Sequence, residues 1–106
     1  MQTPKPTQVH ATTGIATSRY GTENPYLVVR VTAHDLGAFR TRAAATYRAA
    51  ARVHERIGTA SDCAVCVDVH EGRIHLEFGE RAQRPEQDAA FEALNAVAEE
   101  LNREHA

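Results

Sequence analysis

The chain has 106 residues, which suits one domain with a single hydrophobic core and is too short for two. Its 12 basic and 14 acidic residues give a formal charge of −2, so the chain as a whole does not attract nucleic acid or an anionic membrane. No apolar run spans a bilayer and the first residues lack a secretory pattern, so we expect a cytoplasmic protein. Abundant alanine with a single lysine is typical of a GC-rich bacterial or phage genome.

Residues 1–7 carry two prolines among polar side chains and predict a disordered tail, so the single domain is expected to comprise residues 8–106. Residues 9–17 alternate between two faces and are rich in threonine, which predicts an edge strand. Residues 18–25 carry Gly, Asn and Pro and predict a loop.

Residues 26–33 alternate again and predict a second strand, with an apolar face and a mixed face. The apolar period then changes to about 3.6, which predicts an amphipathic helix that Asp35 caps and Gly58 ends. We expect its buried stripe to consist of Leu36, Phe39, Ala43, Tyr47, Ala50, Val53 and Ile57.

Residues 62–79 form two runs of strict apolar and polar alternation hinged at Glu71 and Gly72, which predicts a β-hairpin with a two-residue turn. In that register Asp68 faces His75. Cys66 then faces Glu77 across the pair of strands. A slip of one residue would mix polar and apolar side chains on both faces, so the alternation favours this register.

A second helix is predicted from Pro85, with a buried stripe of Phe91, Leu94, Val97, Ala98 and Leu101. The predicted order is therefore β-β-α-β-β-α. It implies an α+β fold with a four-stranded, antiparallel-rich sheet in the order 1-2-4-3 and both helices on one face, a permuted ferredoxin-like arrangement. The other face of the sheet is left uncovered.

Cys63 and Cys66 form a Cys-x-x-Cys motif, which in other contexts indicates redox chemistry or zinc. In an extended strand the two residues lie about 10 Å apart and point to opposite faces, beyond the ~7 Å that a disulfide spans. A second cysteine pair is absent from the sequence, so the motif does not predict a zinc knuckle. We interpret Cys63 as a core residue and Cys66 as part of the uncovered face.

The uncovered face is the expected functional surface, with eight candidate residues: Tyr26, Val28, Arg30, Asp68, His70, Arg73, His75 and Glu77. Three interpretations compete for it. The first is a solvated face with neutralising ion pairs, and the second is a protein interface. The third is a small enzyme or metal site, in which Asp68 orients His75 as a general base or Asp68, His70 and His75 bind a metal. We favour the interface, in a non-enzymatic interaction or regulatory domain that binds itself or another protein. We assign no catalytic residue, metal or cofactor.

A second candidate surface is the first helix, where Arg48, Arg52 and Arg56 recur every four residues as a stripe that suits a phosphate backbone. The second helix is acidic, and the two helices are expected to lie side by side. Intramolecular attraction between them is therefore the favoured explanation of the stripe, and nucleic-acid binding is the alternative.

Overall fold

Six elements follow one another along the chain in the computed structural model, which describes residues 8–32, 36–58 and 62–105. They are β1 (Val9–Thr17), β2 (Glu23–Val31), α1 (Leu36–Ile57), β3 (Cys63–Asp68), β4 (Arg73–Phe78) and α2 (Arg84–Glu104). The predicted tail and the predicted cap at Asp35 lie outside the described residues. Neither helix in the described part of the chain is long and apolar enough to cross a membrane.

The four strands lie in the order β1-β2-β4-β3, and each neighbouring pair is antiparallel. Because β2 and β3 both run antiparallel to β4, they are parallel to each other and need the long connection that α1 provides. The predicted α+β fold with strand order 1-2-4-3 is thus confirmed. The label permuted ferredoxin-like remains an interpretation of this order.

The hairpin of β1 and β2 is longer than predicted, because β2 begins at Glu23 and the connecting loop shrinks to residues 18–22. Ser18 closes the loop, since its Oγ accepts hydrogen bonds from the backbone N–H groups of Tyr20 and Thr22. Pro25 is tolerated within β2 although it has no backbone N–H group. The pairing of β2 with β4 ends at Tyr26, so residue 25 does not need to donate a hydrogen bond to β4.

The turn of the second hairpin corrects the predicted register. It comprises residues 69–72, so Asp68 pairs with Arg73 instead of His75, and Cys66 pairs with His75 instead of Glu77. The slip of two residues leaves every side chain of the paired residues 63–68 and 73–78 on its predicted face, which is why alternation alone could not detect it. Asp68 stabilises the longer turn, because its Oδ1 accepts the backbone N–H groups at positions 70 and 71 at 3.1 and 3.2 Å.

Both helices pack on one face of the sheet, here called the inner face, and together they form the core. The central strands contribute Leu27, Val29, Ile74 and Leu76, each at most 1% exposed. The buried residues of α2 are Ala90, Ala93, Leu94, Val97, Ala98 and Leu101, which confirms most of its predicted stripe. Phe91 is only partly buried.

The buried face of α1 differs from the predicted stripe. Phe39 is 42% exposed and Tyr47 is 61% exposed, whereas Ala45 and Ala49 are fully buried. Small side chains at the centre allow the helix backbone to approach the sheet closely, so the larger aromatic rings lie at its flank. Thr46 is also fully buried, and its hydroxyl group donates to the carbonyl oxygen of residue 42 at 2.6 Å.

The C-terminus of α1 follows the prediction. Gly58 has φ of +69°, and its N–H group donates to the His54 carbonyl oxygen at 3.0 Å. The left-handed backbone that ends the helix favours glycine at this position.

Helix α2 covers part of the unpaired edge of β1, which is an edge strand of the sheet. The Asn102 side chain accepts from the backbone N–H of Ala11 at 2.7 Å and donates to its carbonyl oxygen at 2.9 Å. Both backbone groups at this point of an edge strand are therefore satisfied within the chain, which blocks another strand from pairing there.

Candidate functional site

The face of the sheet opposite the helices, here called the outer face, is formed by alternate residues of all four strands. They are His10, Thr12, Gly14 and Ala16 of β1, Asn24, Tyr26, Val28 and Arg30 of β2, Arg73, His75 and Glu77 of β4, and Ala64, Cys66 and Asp68 of β3. Within the described ranges both helices pack on the inner face, so the outer face is uncovered.

Tyr26 lies at the centre of the outer face and is held from two sides. Its ring extends over Gly14 of the paired strand, where an added Cβ would lie 2.5 Å from the tyrosine Oη. On the other side, Arg73 of β4 makes a cation–π contact with the ring, because its guanidinium carbon lies 4.5 Å from the ring centroid. The Tyr26 ring therefore lies along the sheet, over the neighbouring strand.

The predicted pair of Asp68 and His75 is wrong. The carboxylate of Asp68 binds the turn, whereas the His75 Nε2 contacts the Glu77 Oε1 at 3.1 Å. Because the two predicted partners lie at different levels of the hairpin, Asp68 does not orient His75 as it would in an acid/base pair.

One other candidate residue lies elsewhere than expected. His70 belongs to the turn, and its ring centroid is 5.5 Å from that of Phe39 of α1, on the side that the helices cover. Arg30 lies on the outer face as predicted, opposite His10 of β1, and Asp68 lies on the same face. The remaining candidates, Tyr26, Val28, Arg73, His75 and Glu77, share the outer face as predicted.

Cys66, His75 and Glu77 form a compact cluster on the outer face. Cys66 lies directly opposite His75, and Glu77 is two residues further along the same strand. One nitrogen, sulfur or oxygen atom from each side chain lies within 4.8 Å of the others. The sequence contained this signal in the outward alternation of the hairpin, but the incorrect register paired Cys66 with the wrong residue.

The two cysteines have different surroundings. Burial raises the pKa of the Cys63 thiol to about 11, and the neighbouring Cys66 and Asp62 add to this increase. Burial also raises the pKa of Cys66, with contributions from the charge of Glu77 and a hydrogen bond to it. Neither thiol has the lowered pKa of a catalytic nucleophile.

Alkylation is expected to distinguish the two thiols. With a pKa of about 11 for Cys63, about one molecule in a thousand carries its thiolate at pH 8, so Cys63 should react more slowly with iodoacetamide than Cys66. Peptide mass spectrometry over a time course measures both rates. In denaturant the rates should become similar, and equal rates in the folded protein would contradict the expected difference.

A shallow groove of about 340 Å³ crosses the outer face diagonally. Its lining residues are Ala16, Asn24, Asp68, Glu71, Arg73 and His75. Glu71 lines this groove although it belongs to the turn, so its carboxylate belongs to the same surface as the side chains of β4.

Charge is divided unequally between the two halves of the outer face. The half formed by β1 and β2 carries the cation of Arg30, whereas the half formed by β3, β4 and their turn carries the carboxylates of Asp68, Glu71 and Glu77. In the second half, the cation of Arg73 is engaged with the Tyr26 ring of the other half. The face therefore carries Arg30 on one side and three carboxylates on the other.

The arginine stripe of α1 faces the acidic second helix. Arg52 forms ion pairs with Glu100 at 3.6 Å and with Glu104 at 2.7 Å, and Arg56 also pairs with Glu100. Arg48 is exposed. A phosphate backbone would have to displace the carboxylates from two of the three arginines, which weighs against the nucleic-acid alternative.

Comparison of the chain with protein-family models, with curated proteins and with solved structures gave no match.

Proposed function

We propose that the chain is a small non-enzymatic interaction domain that forms a homodimer by packing the outer faces of two sheets against each other. The supporting observation is the division of charge across that face. A two-fold axis parallel to the strands would set the β1–β2 half of one copy against the β3–β4 half of the other. Arg30 of each copy would then face Glu71 of the other, so this pair of opposite charges would form twice in each interface.

The shape of the outer face suits such packing. Small side chains at Gly14, Ala16 and Ala64 leave room for a second sheet, and the Tyr26 ring lies along the surface. Val28 adds a partly buried apolar side chain beside it. Packed sheets lie about 10 Å apart, a spacing that side chains of this mixture of sizes fill.

The size of the outer face implies a weak dimer. Four strands about 4.8 Å apart and about 20 to 30 Å long present roughly 400 to 600 Å² per copy. This area is at the low end for specific complexes, so we expect association in the micromolar range, with electrostatic pairs setting the orientation. Edge pairing through β1 is disfavoured because Asn102 already satisfies the backbone of Ala11.

Sedimentation equilibrium tests the dimer, with reductant and a metal chelator present throughout. The average mass is expected to rise above the monomer mass of 11.6 kDa as the concentration increases from micromolar to millimolar. Added salt should weaken the association because the pairs are exposed at the rim. A constant monomer mass over this range would overturn the proposal.

A charge exchange tests the orientation. Arg30→Glu should weaken association at least about tenfold because it places like charges opposite each other. Combining it with Glu71→Arg should restore most of the affinity, since opposite charges then meet again. Arg40→Glu makes the same charge change on the exposed surface of α1 and should leave association unchanged. Equal weakening by the control, or no recovery in the double variant, contradicts the two-fold arrangement.

A further inference from the structure

The cluster of Cys66, His75 and Glu77 combines three kinds of metal ligand on two adjacent strands. Directly opposite residues of an antiparallel pair have Cβ atoms about 5 Å apart, and diagonal neighbours remain within reach of longer side chains. The observed register makes Cys66 and His75 opposite neighbours and places Glu77 diagonally from Cys66. The strand β4 that carries two of these ligands is paired on both sides, so its backbone holds their spacing.

The separations within the cluster are close to those of a zinc site. The candidate ligand atoms lie within 4.8 Å of one another, and His75 already contacts Glu77 at 3.1 Å. Bond lengths of about 2.0 to 2.3 Å in a tetrahedral site place ligand atoms about 3.3 to 3.8 Å apart. Small side-chain rotations, without movement of the strands, are enough to close this difference.

The chemistry of the cluster selects one class of ion. A thiolate and an imidazole are ligands for zinc and related transition metals, whereas magnesium and calcium prefer sites made of oxygen atoms. A thiolate from Cys66 and the carboxylate of Glu77 together carry two negative charges, which neutralise a divalent ion. In the monomer, three protein ligands would leave the fourth position of a tetrahedral zinc ion open to solvent above the sheet.

The alternative metal ligands on this hairpin do not converge. Asp68 is engaged with the backbone of the turn, and His70 lies against Phe39 on the helical side. The candidate metal site therefore joins His75 with Cys66 and Glu77, in place of the Asp68 and His70 that the sequence suggested.

We infer that Cys66, His75 and Glu77 bind one zinc ion on the outer face of the sheet. This inference rests on side chains of a single chain and not on the proposed homodimer, which is measured in the presence of chelator. Either result can fail without affecting the other.

Metal titration tests the site on the full chain, reduced, stripped with chelator and then freed of it. At a micromolar protein concentration, competition of Zn²⁺ with a chromophoric chelator should give one bound ion per chain. Co²⁺ should give the absorption of a tetrahedral site together with a thiolate-to-cobalt charge-transfer band. If neither Zn²⁺ nor Co²⁺ binds, the inference is overturned.

Matched variants identify the ligands. Cys66→Ser should remove the charge-transfer band, and His75→Gln and Glu77→Gln should each weaken Zn²⁺ binding at least about tenfold. Cys63→Ser changes the thiol on the inner face and should retain both the band and the affinity. The Glu77 side chain is 60% exposed, so its substitution should not unfold the chain. Unchanged affinity in all three ligand variants, or loss of the band in Cys63→Ser alone, would contradict the assignment.

Discussion

Replacing Leu76 with alanine is expected to lower the free energy of unfolding by about 2 to 5 kcal/mol. Leu76 is fully buried on β4, the strand that has paired neighbours on both sides. Truncation therefore removes apolar contacts and leaves a cavity that the paired strands cannot close. The total free energy of unfolding of a small domain is about 5 to 15 kcal/mol, so this loss is a large fraction of its stability.

Denaturant titration followed by circular dichroism measures this loss, with Val67→Ala as the control. Val67 lies on the inner face of the neighbouring edge strand but is 39% exposed, so its truncation should cost about 1 kcal/mol or less. If the two variants lose the same stability, Leu76 does not occupy the centre of the core.

Replacing Gly72 with alanine is expected to destabilise the fold by about 2 kcal/mol or more. Gly72 has φ of +68°, where other residues are strained, and an added Cβ would overlap the carbonyl oxygen of Val29. That oxygen belongs to backbone, so it cannot rotate away. The same approach allows the Gly72 carbonyl to accept the Val29 N–H at 2.7 Å.

Gly21→Ala separates the two causes of this effect. Gly21 has a similar φ of +79°, but an added Cβ there meets no atom within 4 Å. Its substitution should cost only the conformational strain, about 1 kcal/mol. Equal losses in the two variants, measured by the same titration, would mean that close contact between β2 and the turn contributes nothing.

The arginines of α1 show how a sequence pattern can suggest two functions that the tertiary structure then weighs differently. The spacing of Arg48, Arg52 and Arg56 suits a phosphate backbone as well as a second helix. The position of α2 brings Glu100 and Glu104 against two of these arginines, so the carboxylates that compete with phosphate are already in place. That competition depends on helix packing, which spacing along one helix does not describe.

The sequence by itself determined the order of the elements, the strand order and the face on which each side chain of the two hairpin strands lies. Alternation with a period of two assigns faces, because a half-buried sheet tolerates few exceptions. The same argument correctly separated Cys63 from Cys66. All the candidate residues of the uncovered face except His70 lie on the outer face.

Only the tertiary structure decided which side chains on those faces are neighbours. A shift of two residues preserves both faces, so alternation could not choose between a turn of two residues and one of four. The four-residue turn, which Asp68 stabilises, moved His75 from Asp68 to Cys66 and created the candidate zinc site. The rotation of α1 was equally hidden, because alanines surround the helix and only close packing against the sheet selects which of them are buried.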